Sequence, residues 1–94
     1  MSMNFEWDPE KARRNLAQHG VTFADASTAF GDPLSITLPD PRHSVGEDRY
    51  VLFGMSERGR FLAVVHTDRG GTTRLISARV MTRHERAQYE GRGG

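Results

Sequence analysis

The sequence predicts a small single-domain α+β fold in which helices pack on one face of a curved antiparallel sheet. Residues 9–30 hold apolar side chains at the spacing of helices. From residue 34 to residue 80 the spacing changes to the period of two that is typical of half-buried strands. A chain of 94 residues fits one domain. We therefore expect residues 1–94 to form one domain in the order β-α-α-β-β-β-β-α, with residues 91–94 as a frayed tail.

The first helix is bounded by two signals. Asp8-Pro9 offers an N-cap carboxylate followed by proline at the first helical position. Gly20 suits the left-handed conformation that ends many helices. Together these signals predict a helix from Pro9 to His19. One face of this helix would hold Ala12, Asn15, Leu16 and His19.

The other two helices are predicted from capping boxes, in which Ser or Thr is followed three residues later by an acid. Thr22 with Asp25 has this form and opens a second helix, which the Gly-Asp-Pro segment 31–33 would end. Thr82 with Glu85 is the full form and opens a last helix that runs to about Tyr89. The second helix would turn Phe23, Ala26 and Phe30 inward.

The strands are predicted from alternation and from glycine-containing turns. Glycines at position 59 and at positions 70–71 suit tight hairpin connections, so the last three strands should form an antiparallel meander. Because the helices are expected on one face of the sheet, the opposite face should be free and should hold the functional side chains. The expected strands cover residues 4–7, 34–38, 49–56, 61–68 and 73–80.

Charge is distributed unevenly along the chain. Residues 1–48 hold four Lys or Arg and eight Asp or Glu, a net charge of −4, whereas residues 49–94 hold nine Arg and four acids, a net charge of +5. Twelve of the thirteen cations are Arg. This preference reflects either GC-rich codon usage or the bidentate binding of phosphate and carboxylate by guanidinium groups. The asymmetry indicates a basic binding face in the second half of the chain.

Several classes of protein and site are excluded or disfavoured. Without Cys, the chain has no disulfide framework and no Cys-based zinc site. No apolar run approaches the roughly 20 residues of a membrane span. The first residues do not resemble a signal peptide, so we expect a cytoplasmic protein. The four His are scattered and no phosphate-binding loop or dinucleotide fingerprint occurs, so we expect no metal and no cofactor.

The remaining pattern of clustered Arg, isolated His, Glu47 and Tyr89 suits ribonuclease chemistry without a metal. In that reaction the 2′-hydroxyl of RNA attacks the adjacent phosphate, one group removes a proton and another protonates the leaving oxygen. Cations stabilise the charge that develops on the phosphorane. Arg suits this last task because its guanidinium group stays charged in any environment.

The order and spacing of several segments resemble those of a known family. The segments are Phe5-Glu6-Trp7-Asp8 with Lys11 and Asn15, His19-Gly20-Val21 with Phe23, Ala26 and Phe30, Gly46-Glu47-Asp48-Arg49-Tyr50, Gly59-Arg60, Val65-His66-Thr67-Asp68-Arg69, and Arg74-Leu75-Ile76-Ser77-Ala78-Arg79 with Glu85 and Tyr89. Over residues 5–89 the chain resembles the BrnT toxins of bacterial type II toxin–antitoxin modules.

The resemblance implies a RelE-like fold and a toxin that cleaves RNA and thereby arrests translation and growth. It implies a BrnA-like antitoxin as partner, with a ribbon-helix-helix domain, in a heterotetramer built on an antitoxin dimer. Operator DNA would be contacted only through that antitoxin, and no membrane contact is implied. In RelE-type toxins the site lies on the sheet and uses Arg, Lys, Tyr or His without a metal.

The candidate site residues form two groups. The candidates for catalysis are Arg49, Arg79, His66, Glu47 and Tyr89. The candidates for RNA binding are Lys11, Tyr50, Arg60, Arg69, Arg74 and Arg83.

Structural roles compete for several of these residues. His66 could belong to the core, Tyr89 could hold the last helix on the sheet, and Glu47 could pair with Arg49. For His19 we expect a packed role at the end of the first helix rather than a catalytic one.

Two other functions compete with the ribonuclease. The first is a non-catalytic module that binds RNA or an antitoxin segment through its basic sheet face. A DNA-binding regulator is disfavoured, because the second helix is too apolar and acidic, with Asp25 and Asp32, to act as a recognition helix in a DNA groove.

Overall fold

A computed structural model describes residues 3–40 and 48–91 of the chain. Within these ranges the helices and strands follow one another in the predicted order, so the α+β class is confirmed. No helix in the described ranges is long and apolar enough to span a membrane. The elements are β1 (Asn4–Glu6), α1 (Pro9–His19), α2 (Phe23–Thr28), a 3₁₀ turn (Ala29–Gly31), β2 (Ile36–Pro39), β3 (Tyr50–Met55), β4 (Phe61–Arg69), β5 (Thr72–Val80) and α3 (Arg83–Gly91).

The five strands form one sheet in the order β1-β5-β4-β3-β2. The pairs from β2 to β5 are antiparallel, as the meander predicts. Strand β1 instead pairs with β5 in parallel, along Asn4–Glu6 and Thr72–Arg74. The sheet is therefore mixed, because the chain leaves β1 through the helices and returns to its side only with the last strand.

The helices begin and end where capping chemistry predicts. The Asp8 carboxylate accepts a hydrogen bond from a backbone N–H of the first turn of α1 at 2.9 Å, and Gly20 ends the helix with φ of 69°. The Thr22 hydroxyl accepts from the Asp25 backbone N–H at 3.0 Å and caps α2. The Asp25 carboxylate accepts from the Ser56 hydroxyl at 2.9 Å, which fastens α2 to the end of β3.

Strand β2 begins two residues later than the alternation predicts. Asp32 holds the preceding segment in a turn. Its carboxylate accepts from the Leu34 N–H at 2.9 Å, and its carbonyl accepts from the Ser35 N–H at 3.0 Å. Ladder pairing with β3 therefore starts at Ile36.

Helices α1 and α2 cover one face of the sheet, which we call the helix-covered face. The main core lies between these two layers, and its side chains are at most 1% exposed. Trp7 packs at its margin, with its ring 5.9 Å from that of Phe23. The core residues are Val21, Phe23, Ala26, Leu62, Val64, Leu75 and Ala78.

Helix α3 lies against the other face of the sheet. Phe61 alternates with the core residue Leu62, and its ring lies 5.8 Å from the ring of Tyr89 and 3.6 Å from the Arg86 guanidinium. Helix α3 therefore covers part of the face that the sequence predicts to be free. The remainder of this face, which we call the open face, includes Val51, Val65 and Ser77.

Asn15 joins α1 to the outer edge of β5. Strand β1 pairs with β5 only as far as Arg74, and the Asn15 side chain takes up the pairing further along the edge. Its amide nitrogen donates to the carbonyls of Ala78 at 2.8 Å and Val21 at 2.9 Å, and its amide oxygen accepts from the Ala78 N–H at 3.0 Å. Asn15 is only 6% exposed, so water cannot readily replace these bonds.

We expect Asn15→Ala to lower the free energy of unfolding by about 2–4 kcal/mol, because it leaves buried backbone groups at Val21 and Ala78 without partners. Urea denaturation measures the loss. The matched control is Gln18→Ala on the exposed part of the same helix, which should change stability by less than about 0.5 kcal/mol. Equal losses in the two variants would contradict the role assigned to Asn15.

Candidate functional site

Two of the predicted arginines extend from β5 on the open face. Arg79 lies opposite Ala63 and Arg74 lies opposite Thr67 in the β4–β5 register. The side chains that alternate with these residues along β4 and β5 belong to the core. The guanidinium groups of Arg74 and Arg79 are therefore on the side of the sheet away from α1 and α2.

Arg49 and Arg69 extend the same basic surface. The Arg49 carbonyl accepts from the Asp40 N–H at 2.9 Å, so the β2–β3 ladder continues through Arg49 and its alternation matches that of Val51. Arg69 ends β4 two residues after Thr67. Because neighbouring strands are about 4.8 Å apart, β3 and β5 are separated by about 10 Å. The structure thus places Arg49, Arg69 and Arg74 near one end of the open face, and Arg79 lies about 13 Å further along the strands, level with Ala63 rather than Thr67.

Carboxylates hold two of these arginines in place. The two terminal nitrogens of Arg79 donate to the two Glu85 oxygens at 2.7 and 2.9 Å. Arg74 donates to Glu6 at 2.8 Å, which ties β5 to β1. These pairs orient both guanidinium groups and neutralise part of their charge.

Glu85 also begins α3. Its side chain accepts from the Thr82 N–H at 2.8 Å, and the Thr82 hydroxyl accepts from the Glu85 N–H at 3.1 Å, which confirms the capping box. Hydrogen bonding to Arg79 is the largest cause that lowers the pKa of Glu85, to about 2. The same contact raises the pKa of Arg79 above its ordinary value. Glu85 therefore stays ionised while it positions both the helix and Arg79.

His66 and Tyr50 lie on the helix-covered face, away from the four arginines. His66 is 5% exposed, with its ring 4.8 Å from that of Phe30 and 6.0 Å from that of Tyr50. Its Nδ1 lies 3.2 Å from the Val64 carbonyl. Burial lowers the pKa of His66 and favours the neutral ring.

Tyr89 on α3 is held by the Asp32 carboxylate. Its hydroxyl donates to the Asp32 carboxylate, which also accepts from the backbone N–H of Met55 at 2.8 Å. Burial, followed by the contact with Asp32, raises the pKa of Tyr89 to about 12. The phenol therefore keeps its proton at neutral pH and fastens α3 to the end of β3.

The remaining predicted residues lie at separate places. Arg60 donates to the Gly20 carbonyl at 2.8 Å and thereby caps α1. Arg83 is exposed in the first turn of α3, and Lys11 is exposed on α1. Glu47 lies outside the described residues. In residues 3–40 and 48–91, no three His, Asp or Glu side chains are grouped so that they could hold a metal ion.

A polar groove of about 240 Å³ runs between α1 and β5. We call it the α1 cleft, and it is lined by Lys11, Arg14, Asn15, Gln18, His19, Ile76 and Ser77. Sequence reasoning missed Arg14, and it placed His19 in a packed position although the structure exposes that side chain. The recurrence of polar residues at 11, 14, 15 and 18 is the helical stripe that could have indicated this groove.

A second groove, of about 500 Å³, lies between β2 and α3. Its walls are mainly apolar and include Ile36, Leu38, Phe53 and Tyr89. No sequence pattern indicated it, because it depends on which face of the sheet α3 covers.

These features define the class of the protein: a small α+β domain that presents basic side chains on one face of a mixed sheet. The chain belongs to the family of ribonuclease toxins, BrnT, of type II toxin–antitoxin systems, whose family model matches residues 7–85.

The fold is likewise similar to the crystal structure of the Brucella abortus ribonuclease toxin BrnT. The TM-score is 0.67 and the sequence identity is 25%, over 87% of this chain and 100% of that chain. No curated protein sequence matches the chain. The resemblance that the residue pattern suggested is therefore confirmed at the level of family and fold.

We expect acid to destabilise the protein partly through Glu85. The folded-state pKa of about 2 lies below the ordinary value of 4.5, so the stabilisation is present above pH 4.5 and is lost as the pH falls toward 2. Glu85→Gln should be less stable than wild type at pH 7. Between pH 4.5 and pH 2 it should lose less stability than wild type loses over the same range. Thermal melts across that range measure the slope. The control is Glu90→Gln, whose pair with Arg86 is exposed. If stability fell with pH equally steeply in wild type and in Glu85→Gln, the role assigned to Glu85 would be contradicted.

Proposed function

We propose that this chain is the toxin of a type II toxin–antitoxin system and cleaves RNA as a metal-independent endoribonuclease. The observation that supports this proposal is the group of four arginines on the open face, Arg49, Arg69, Arg74 and Arg79. Membership in a family of ribonuclease toxins supports it independently. By this proposal the open face binds the phosphate at which the RNA chain breaks.

Arg79 would stabilise the charge that develops on that phosphate when the 2′-hydroxyl attacks it. Glu85 fixes the guanidinium group in advance through two N–H donors, and a third donates to the Val80 carbonyl at 3.4 Å, so about two of the five remain for phosphate oxygens. Arg49 lies across β4 and level with Thr67, about 16 Å from the backbone of Arg79, and would contact a different phosphate of the same RNA strand.

The reaction also requires groups that transfer protons. Glu47 is the proposed base, and in the sequence it precedes Arg49 by two residues. His66 and Tyr89 would have to leave their partners, Phe30 and Asp32, to reach an RNA on that face. Their catalytic roles stay predictions.

The family implies an antitoxin as partner. We propose a BrnA-like antitoxin with a ribbon-helix-helix domain, bound in a heterotetramer around an antitoxin dimer. Operator DNA would then be contacted only by the antitoxin. The complex would form in the cytoplasm, where the RNA substrate is found.

One observation favours a second function, a module that binds RNA or antitoxin without cleavage. Arg74 and Arg79 are already paired with carboxylates, and the His66 and Tyr89 side chains are engaged elsewhere. Such a module would bind RNA in a salt-dependent manner and release no cleavage products.

We expect Arg49→Ala with Arg79→Ala to lower the rate of RNA cleavage by at least about 100-fold, because each removes a cation from the developing charge. The measurement is cleavage of a labelled RNA by purified protein with chelator present. The control pair, Arg13→Ala with Arg58→Ala, removes the same charge elsewhere and should leave the rate nearly unchanged. Because Arg79 also anchors Glu85, circular dichroism must show that the variant is folded. Full activity in the folded variant would refute this site.

Expression of the wild-type chain alone should arrest bacterial growth, and co-expression of the antitoxin encoded beside it should restore growth. The variant without Arg49 and Arg79 should be tolerated without antitoxin and should still co-purify with it. Normal growth of cells that accumulate folded wild-type protein, together with intact RNA in vitro, would exclude the ribonuclease and favour the binding module.

A further inference from the structure

The α1 cleft presents four polar side chains of one helix to the edge of β5. Lys11, Arg14, Gln18 and His19 recur along one side of α1, and Ile76 and Ser77 line the opposite wall. The Asn15 contacts with Ala78 hold α1 at a fixed distance from this edge. These bonds fix the backbones on the two sides of the cleft relative to each other.

In residues 3–40 and 48–91, the basic side chains of the cleft are unpaired, whereas Arg74 and Arg79 on the open face are paired with carboxylates. Within the described residues, the side chains of Lys11, Arg14 and His19 make no hydrogen bond or ion pair. Elsewhere on α1, Glu10 is occupied by Arg13. Among the described residues no carboxylate lines the cleft, so none of them neutralises its positive potential locally.

The cleft is continuous with the open face through Ser77. This residue lies opposite Val65 in the sheet, between Arg74 and Arg79 along β5, and also lines the cleft. An RNA strand that crosses the outer edge of β5 would thus pass directly from the open face to α1.

We propose that the α1 cleft binds a second phosphate of the RNA strand that the open face cleaves, with Lys11 and Arg14 as its cationic ligands and His19 and Gln18 as hydrogen-bond donors. The proposal rests on the proposed ribonuclease function and extends its substrate contacts to a site that positions the strand. The ligand is the phosphodiester backbone, so binding is independent of base sequence.

The test measures binding of a fluorescein-labelled, single-stranded 2′-O-methyl RNA of roughly 12 nucleotides. This probe cannot be cleaved because the attacking hydroxyl is blocked. For Lys11→Gln with Arg14→Gln, loss of one phosphate contact should lower the slope of log affinity against log salt by about 0.7, and the affinity at 0.1 M salt should fall about 5-fold. Both side chains are exposed, so the variant should keep the wild-type melting temperature.

The matched control is Arg13→Gln with Arg58→Gln, which removes two charges, one of them from the same helix. Its slope and affinity should stay close to those of wild type. With cleavable RNA, the cleft variant should raise KM and keep kcat, whereas loss of Arg49 and Arg79 should lower kcat.

The outcomes separate the two proposals. If wild type cleaves RNA and the cleft variant binds and cleaves like the control, the cleft proposal is overturned and the ribonuclease stands. If binding depends on the cleft but no RNA is cleaved, the cleft is supported as a binding site and the ribonuclease fails. If wild type neither binds nor cleaves RNA, both proposals are overturned.

Discussion

The hydrogen bonds between the side-chain amide of Asn15 and the peptide groups of Ala78 determine where α1 and α2 lie on the sheet. Asn15 donates to and accepts from the backbone of Ala78, as a neighbouring strand would. Its amide nitrogen also donates to the carbonyl of Val21, just after α1. The hairpin of α1 and α2 is thereby locked over β4 and β5, and Phe23 and Ala26 reach the core. The same contact sets the width of the α1 cleft, so stability and the proposed second phosphate site depend on one buried amide.

The two faces of the sheet differ in charge, because the open face holds arginines beside apolar side chains such as Val51 and Val65. The helix-covered face is apolar and aromatic, and it encloses even His66. The open face has arginines, two of which are paired with carboxylates from β1 and α3. This pairing explains how four guanidinium groups can lie on a small sheet without strong mutual repulsion. Because of these pairs, Glu6 and Glu85 also weaken the attraction of Arg74 and Arg79 for an approaching anion.

Local chemistry in the sequence was enough to predict the helix ends, because Asp8, Gly20, Thr22 and Glu85 act within a few residues. Alternation predicted the antiparallel strands, but it could not show that Arg74 and Arg79 share a face, because that depends on the irregular register between Val65 and His66. It could not place β1 beside β5 or α3 on the second face, since those choices depend on contacts distant in sequence. It also could not separate a buried His66 from an exposed His19, because burial is decided by the docking of other elements.

The position of β1 has a consequence for how the protein is made. Strand β1 finds its partner only in β5, and the contact of Asn15 with Ala78 spans 63 residues. While the chain leaves the ribosome, the first two helices therefore have no edge against which to dock until the last strand emerges. Such non-local pairing slows folding relative to local hairpins. The basic surface is likewise assembled only at the end of synthesis, so a truncated product has neither the sheet edge nor the arginines of β5.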